Sequence, residues 1–263
     1  MPVTEPVPNP VADLYDRRLL LLGPKRNDVL ELWEVQRYGS DSYGDADYVS
    51  IYGLPPAAWY EKGIRLLGRT AVECTRDQLA DAIGRDTAAA AQSLPATPGI
   101  TVIDPFVGSG NTLYWILRHL PQAHGLGFEL DRVVYQLTER NLSILGMSIE
   151  IKHADYLAAL SELNVPEEQL LIAFIAPPWG DALSESAGLD LLGTNPPISL
   201  IVDSIAQHFP NRLLFSIQVY ERIDPPSLAE LTARFDWSAL RMYDFNLKGQ
   251  NHGLLLATRG WRP

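Results

Sequence analysis

The chain has 263 residues, 46% of them apolar, which is enough to bury the core of one α/β domain with an extension and excludes disorder over most of the length. The formal net charge is −11 and the acidic excess runs through both halves, so there is no basic stripe of the kind that grips a phosphate backbone. One cysteine, Cys74, excludes an internal disulfide framework and a cysteine-rich zinc site; no leader follows Met1-Pro2-Val3-Thr4-Glu5 and no apolar run is long enough for a bilayer, so a cytoplasmic chain with no membrane contact and no metal is expected.

Residues 1–10 carry four prolines and read as a loose tail. Helices are expected over 12–22 and 27–37, a loop over 38–58 and a short helix over 59–67. A longer helix is expected over 75–93, with Thr75 as its cap, Asp77 in its first turn and the Ala88 to Ala91 run to propagate it. Pro95 and Pro98-Gly99 then mark a boundary, dividing a helical extension over 1–94 from a catalytic domain over 95–263. Beyond it, strands and helices alternate: strands at 100–103, 123–128, 149–151, 170–175 and 213–219; helices at 112–120, 131–145, 156–163, 197–208 and 226–235; and a closing pair of strands at 240–246 and 253–258. Such alternation predicts an α/β, doubly wound (Rossmann-like) seven-stranded, mostly parallel sheet, buried on both faces.

The most informative stretch runs from Thr101 to Thr112. An apolar strand ends in Asp104, passes Pro105, Phe106 and Val107, turns through Gly108-Ser109-Gly110 and opens a helix at Asn111-Thr112. In a doubly wound sheet this is the first βα turn, where ligands sit at the carboxyl ends of the strands. Gly108 and Gly110 let the backbone approach a ligand closely. A phosphate-binding loop needs Gly-Lys-Ser/Thr, and no lysine is present; a dinucleotide site wants a third glycine and no acid beside the diphosphate. S-adenosylmethionine, which carries an ammonium and a sulfonium and no phosphate, suits an acid at the strand tip. The segment resembles motif I of the class I methyltransferases in the form D-P-F-x-G-x-G-N-T, found among nucleic-acid amino-methyltransferases and the RNA cap guanine-N2 (trimethylguanosine synthase-like) family. The resemblance implies S-adenosylmethionine as cofactor, held by Asp104, Phe106, Gly108, Gly110, Asn111 and Thr112.

Later strand ends extend it. Glu129 closes the second strand, 25 residues after Asp104, where an acid takes the ribose hydroxyls; Asp131 is expected to cap the next helix. Asp155, after the third strand, resembles the family residue that accepts the adenine amino group, and it can cap a helix as well. The fourth strand leads into Ala176-Pro177-Pro178-Trp179-Gly180, which resembles motif IV and more narrowly the S-P-P-W-G of the cap family. There, backbone carbonyls receive the target amine and the aromatic stacks on its ring, so Pro177, Pro178 and Trp179 are the catalytic candidates and Ala176 borders the cofactor. The family has a polar residue where Ala176 stands, and alanine cannot accept the amine's second hydrogen bond. Residues 71–80 faintly resemble the family's T-P-E-x-I-A segment, with Thr75 placed to meet the cofactor carboxylate. Asn195-Pro196-Pro197 lacks the preceding apolar strand and the aromatic, and reads as a helix start.

The function expected is in-line methyl transfer to a small molecule, natural-product-like or nucleoside-like. That acceptor fits the acidic charge, Ala176 and the aromatic-rich extension (Trp33, Tyr38, Tyr43, Tyr48, Tyr52, Trp59, Tyr60) better than nucleic acid does. The alternatives are an RNA guanine-N2-type amino-methyltransferase and a non-catalytic cofactor-binding partner subunit. Tyr156, Asp181, Glu185 and His252 are candidate bases, and a homodimer is compatible with the sequence.

Overall fold

The computed structural model describes residues 14–94, 99–184, 186–245 and 252–263. A π-helical turn at Arg18–Leu22 comes first, then α1 (Leu32–Tyr43), α2 (Pro56–Glu61), α3 (Gly68–Glu73) and α4 (Asp77–Gln92). From there strands and helices alternate: β1 (Ile100–Asp104), α5 (Asn111–His119), β2 (His124–Glu129), α6 (Arg132–Ile144), β3 (Glu150–His153), α7 (Tyr156–Leu160) and β4 (Leu170–Ile175). A small antiparallel pair, β5 (Leu183–Ser184) and β6 (Gly188–Leu189), precedes α8 (Ile198–His208), β7 (Arg212–Tyr220), α9 (Pro225–Thr232), β8 (Trp237–Tyr243) and β9 (His252–Arg259).

Seven strands form one sheet in the order β3-β2-β1-β4-β7-β9-β8. The first five are parallel; β9 runs antiparallel between β7 and β8. This is the predicted doubly wound, mostly parallel sheet with a closing antiparallel pair. β4 and β7 lie in the middle: every residue of β4 is buried, as its unbroken apolar run Leu-Leu-Ile-Ala-Phe-Ile requires of a strand covered on both faces. The order reverses between β1 and β4, and in doubly wound sheets ligands bind over the strand ends at such a point.

Two apolar layers flank the sheet. One packs α7 and α8 against it through Tyr156, Leu160, Ile198, Ile201 and Ile205. The other is continuous from Leu20, Tyr38, Ile51 and Trp59 of the extension, through Ile83 of α4, to Ile172 and Leu256 in the sheet, so the extension and the sheet share one core. Gly84 makes the fit between α4 and α5 close: a Cβ there would stand 2.7 Å from the Trp115 carbonyl oxygen. The Thr87 and Ser216 hydroxyls meet at 2.7 Å between α4 and β7, which satisfies two buried polar groups.

Several expected boundaries move. The helix expected over 27–37 is α1, shifted to Leu32–Tyr43; its start is set by Glu31 and Glu34, whose side chains reciprocally receive backbone amides in a capping box. Only a π-helical turn stands in the described part of 12–22. The expected short helix over 59–67 is α2, which starts earlier and ends at Glu61, and Pro56 at its first position explains the early start; α3 follows beyond it at Gly68–Glu73. The helix expected from Thr75 begins at Asp77, and Arg76 occupies its N-cap with no side-chain cap bond. The strand expected at 240–246 is β8, three residues earlier, because its pairing with β9 starts at Trp237 opposite Thr258. Residues 1–10, Glu185 and the end of that expected strand lie outside the described residues. Among the described residues no helix is long and apolar enough to cross a membrane, and no group of three or more His, Cys, Asp or Glu side chains could hold a metal ion.

Candidate active site

The glycine turn sits at the tip of β1 and is braced from α6 and from the extension. Gly108 and Gly110 have φ of +49° and +74°, the left-handed region that a side chain enters only with strain. A Cβ at Gly110 would press on Thr138 at 3.3 Å and Leu142 at 3.4 Å, so this glycine serves packing. A Cβ at Gly108 would meet nothing nearer than 3.9 Å: this glycine leaves an open surface over the strand tips. From α6, the Thr138 hydroxyl donates to the Gly108 carbonyl at 2.5 Å. From the extension, the Tyr52 hydroxyl donates to the Ser109 carbonyl.

Two acids flank that open surface. Asp104 is 2% exposed; its Oδ1 accepts the Phe106 amide at 3.0 Å. Burial pushes its carboxyl up to about 7 and nearby Glu129 adds to the rise, while among the described residues no lysine or arginine pairs with it. Glu129 is held by two backbone amides, Gly108 N–H to Oε2 at 3.2 Å and Asp131 N–H to Oε1 at 2.8 Å. Burial raises its pKa too, against those two bonds and the attraction of Arg69. A buried carboxylate and a half-buried one thus stand beside a bare backbone surface, and among the described residues no lysine or arginine pairs with Asp104. Glu129 has lone pairs left for a pair of hydroxyls, and Asp104 for a cationic group. This donor set fits the two ends of S-adenosylmethionine, its ribose and its ammonium, and does not fit a diphosphate.

The other cofactor candidates divide. Phe106 is half-buried with its ring 5.2 Å from that of Tyr156, forming a wall beside Asp104. Thr112 is buried in the first turn of α5. Asp155 caps α7, accepting the Leu157 amide at 2.8 Å and the Ala158 amide at 3.4 Å; it is exposed, two residues past the position level with Glu129. The Asn111 side chain is engaged within the protein. Its Oδ1 accepts the Tyr52 amide at 2.7 Å, and its Nδ2 donates to the Thr75 carbonyl at 2.7 Å and to Asp77 Oδ1 at 3.2 Å, so its polar atoms tie the extension to the glycine turn. Thr75 likewise gives its hydroxyl proton to Gln218 Oε1 at 2.9 Å and does not offer it to a ligand. Asp77, read as a first-turn acid, is a hub: besides Asn111 it accepts Trp115 Nε1–H at 2.6 Å and the Gly53 amide at 2.9 Å.

At the end of β4, Ala176 is half-buried, Pro177 is buried, Pro178 is exposed and Trp179 is half-buried. Trp179 belongs to a cluster that chain position does not announce. Its ring stacks on His252 at 5.3 Å and 28°, and Tyr220 stands edge-on to both at 6.0 Å. Sheet topology builds this cluster, because β7 lies beside β4 and Tyr220 is paired with His252 at the start of β9. No local sequence pattern supplies this pairing of two distant segments. His252 Nδ1 accepts from Gln218 Nε2 at 3.3 Å. Burial, with repulsion from Arg76, holds the ring's pKa down to about 4, against the pull of Glu221. Its lone pair is engaged, so His252 does not suit the role of general base. Tyr156 does not either: burial first and Asp155 second push its hydroxyl up to about 12. Asp181 is exposed in a 3-10 turn at Gly180–Ala182.

The extension's aromatics also divide. Tyr38, Tyr52 and Trp59 are core; Trp33 is 55% exposed; Tyr43 and Tyr48 stack at 3.7 Å. Arg76 lies over the rings of Tyr48 at 5.0 Å and Phe245 at 5.6 Å, so only part of the aromatic set approaches the His252 side of the site.

The histidine makes a stability prediction. A folded-state pKa held below the unfolded one contributes stability above pH 6.5 that is lost as pH falls through about 4. Urea unfolding should therefore show a loss of roughly 2–3 kcal/mol over that window. In His252→Phe most of this loss should vanish; an unchanged slope would show that His252 is not the group responsible.

The sheet order and the helices on both faces match a Rossmann-like methyltransferase fold. No protein-family model matches the chain, and no curated protein matches its sequence. Solved structures do. A Listeria monocytogenes protein assigned to the class I S-adenosylmethionine-dependent methyltransferases superposes with a TM-score of 0.51 at 14% identity, over 70% of this chain and 62% of that one; the chain thus spans about three-fifths of that protein. The METTL16 MTase domain gives 0.53 at 13% identity, over 88% and 82%. The methyltransferase subunit of a type I restriction-modification system from Streptococcus thermophilus gives 0.50 at 15% identity, over 78% and 49%. At these identities the likeness is one of fold.

Proposed function

We propose that the chain is an S-adenosylmethionine-dependent methyltransferase acting on a small molecule, natural-product-like or nucleoside-like. The observation that carries the proposal is a pair of carboxylates at adjacent strand tips, the buried Asp104 and the half-buried Glu129, beside the bare surface of Gly108. When bound, S-adenosylmethionine supplies an electrophilic methyl group on a sulfonium. Asp104 would meet its ammonium, Glu129 its ribose hydroxyls, and Asp155 its adenine amine. The chain's remaining task is alignment, which can supply on the order of 7–11 kcal/mol of a barrier. Trp179 offers a flat face for a planar acceptor at the end of β4. Neither His252 nor Tyr156 is disposed to take a proton, which favours an acceptor that attacks through a lone pair it already carries.

The small-molecule reading rests on the net charge of −11 and on the alanine at 176, where an amine-methylating site would place a polar acceptor. A second reading, an RNA guanine-N2-type amino-methyltransferase, draws on Pro177-Pro178-Trp179 at the strand end. Label transfer separates them. With methyl-labelled S-adenosylmethionine and either a low-molecular-weight metabolite extract or total RNA, label is expected in the small-molecule fraction and should fall at least tenfold with Trp179→Ala. Label in RNA alone would reverse the order of the two readings, and none in either fraction would sink both.

A further inference from the structure

Thr75, Gln218 and His252 form a polar relay that the cofactor site does not use. It starts in the extension, crosses β7 and ends on the ring stacked against Trp179. The Thr75 hydroxyl donates to Gln218 Oε1 at 2.9 Å, which orients the amide so that Nε2 points at His252. Gln218 Nε2 then donates to His252 Nδ1 at 3.3 Å. A neutral imidazole that accepts at Nδ1 carries its proton on Nε2. Among the described residues Nε2 has no hydrogen-bond partner, so the ring ends in an unspent N–H donor. Gln218 is 7% exposed, and a buried amide with both ends committed holds its partner in one orientation. Burial first, and the charge of Arg76 second, oppose a second proton on this ring and keep the donor neutral.

We propose that His252 is an acceptor-recognition residue, presenting Nε2–H beside the Trp179 face to a flat aromatic acceptor that bears a lone pair at its edge, a ring nitrogen or a carbonyl oxygen; Gln218 and Thr75 are its positioning residues. This rests on the methyltransferase reading and narrows its substrate class. A site built to donate a hydrogen bond selects against an isostere lacking the acceptor atom, because the donor is then left unpaired. The selection is for hydrogen-bonding pattern and needs no charge on the ligand.

Quinoline and naphthalene make a matched pair of probes, equal in shape and differing by one ring nitrogen. With the protein saturated in S-adenosylhomocysteine at pH 8, quinoline is expected to bind at least tenfold more tightly than naphthalene, read by Trp179 fluorescence with Trp179→Phe as the blank. The preference should shrink to twofold or less in His252→Phe. It should also shrink in Gln218→Glu, whose carboxylate would draw the ring proton to Nδ1 while leaving the stack on Trp179. Nitrogen-15 NMR of the histidine rings should show His252 as the Nε2–H tautomer in the native chain and as Nδ1–H in Gln218→Glu. A native Nδ1–H tautomer, or a quinoline preference that survives in His252→Phe, would overturn the proposal. S-adenosylhomocysteine should bind all these variants alike; if it fails to bind even the native chain, the methyltransferase reading fails, while the tautomer measurement still judges the relay.

Discussion

Replacing Asp104 with alanine is expected to weaken S-adenosylmethionine binding about 30–100-fold at pH 8, from the loss of one charge-assisted contact worth roughly 2–3 kcal/mol. The same site should give the free protein an opposite response. Asp104 is buried, has no cationic partner among the described residues, and has its pKa raised from 3.8 to about 7. A raised folded-state pKa means that its contribution to stability is complete below the unfolded value and is lost as pH climbs from 3.8 through about 7. The free protein at pH 8 therefore carries a desolvated charge at a cost on the order of 2–4 kcal/mol. Asp104→Asn keeps the oxygen that receives the Phe106 amide and removes the charge. It should raise the melting temperature of the free protein at pH 8 while losing most of the affinity. Cofactor binding in the native chain should itself weaken below pH 7, by about tenfold at pH 6, because a cationic ligand requires the deprotonated carboxylate. Melting curves of the two proteins at pH 5 and pH 8 check the sign: the Asp104→Asn variant should gain stability over the native chain only at the higher pH.

The second large effect is structural. Asn111→Ala should destabilise the protein by about 3–5 kcal/mol, since it strands the Tyr52 amide and the Thr75 carbonyl and removes a donor from Asp77. Tyr52 has φ of +57°, a strained conformation for a non-glycine residue, and it persists because Asn111 and Ser109 hold it from both ends. Releasing that hold should loosen residues 50–54 from the glycine turn. Hydrogen exchange at those amides should rise more than at β4, whose backbone is buried in the sheet centre. Equal protection in the native chain and in Asn111→Ala would show that Asn111 is dispensable to the brace.

These two residues mark what was legible in the sequence and what was not. Asp104 could be placed from its neighbours, because a strand, an acid and a glycine turn in immediate succession leave few geometries. The same holds for Glu129 at the tip of β2 and for Trp179 after the most apolar strand. Asn111 lies in the same legible stretch, yet its partners are Tyr52, Thr75 and Asp77, and no local pattern announces a contact across 34–59 residues. The central strands β4 and β7 were legible because burial on both faces demands continuous apolar runs. The helices of the extension were not. In α1, Gly39 and the following Ser-Asp-Ser look like a loop. Packing decides otherwise: a Cβ at 39 would stand 2.3 Å from the Asp45 carbonyl oxygen, so only glycine admits the turn that folds back on the helix. β8 is an edge strand whose residues are half-buried or exposed, and its register comes from β9 alone. The Trp179, Tyr220 and His252 cluster is likewise a product of strand order, with its members separated by 41 and 32 residues in the chain.

The central claim is that the acids at the tips of β1 and β2 form a seat for S-adenosylmethionine. Isothermal titration of the native chain with S-adenosylmethionine, repeated at pH 7 in two buffers of different ionisation enthalpy, tests it most directly. Binding at one site is predicted, with release of a fraction of a proton as the cationic ligand draws Asp104 into its charged form. Absence of binding would contradict the claim, and so would binding that Asp104→Ala leaves unchanged.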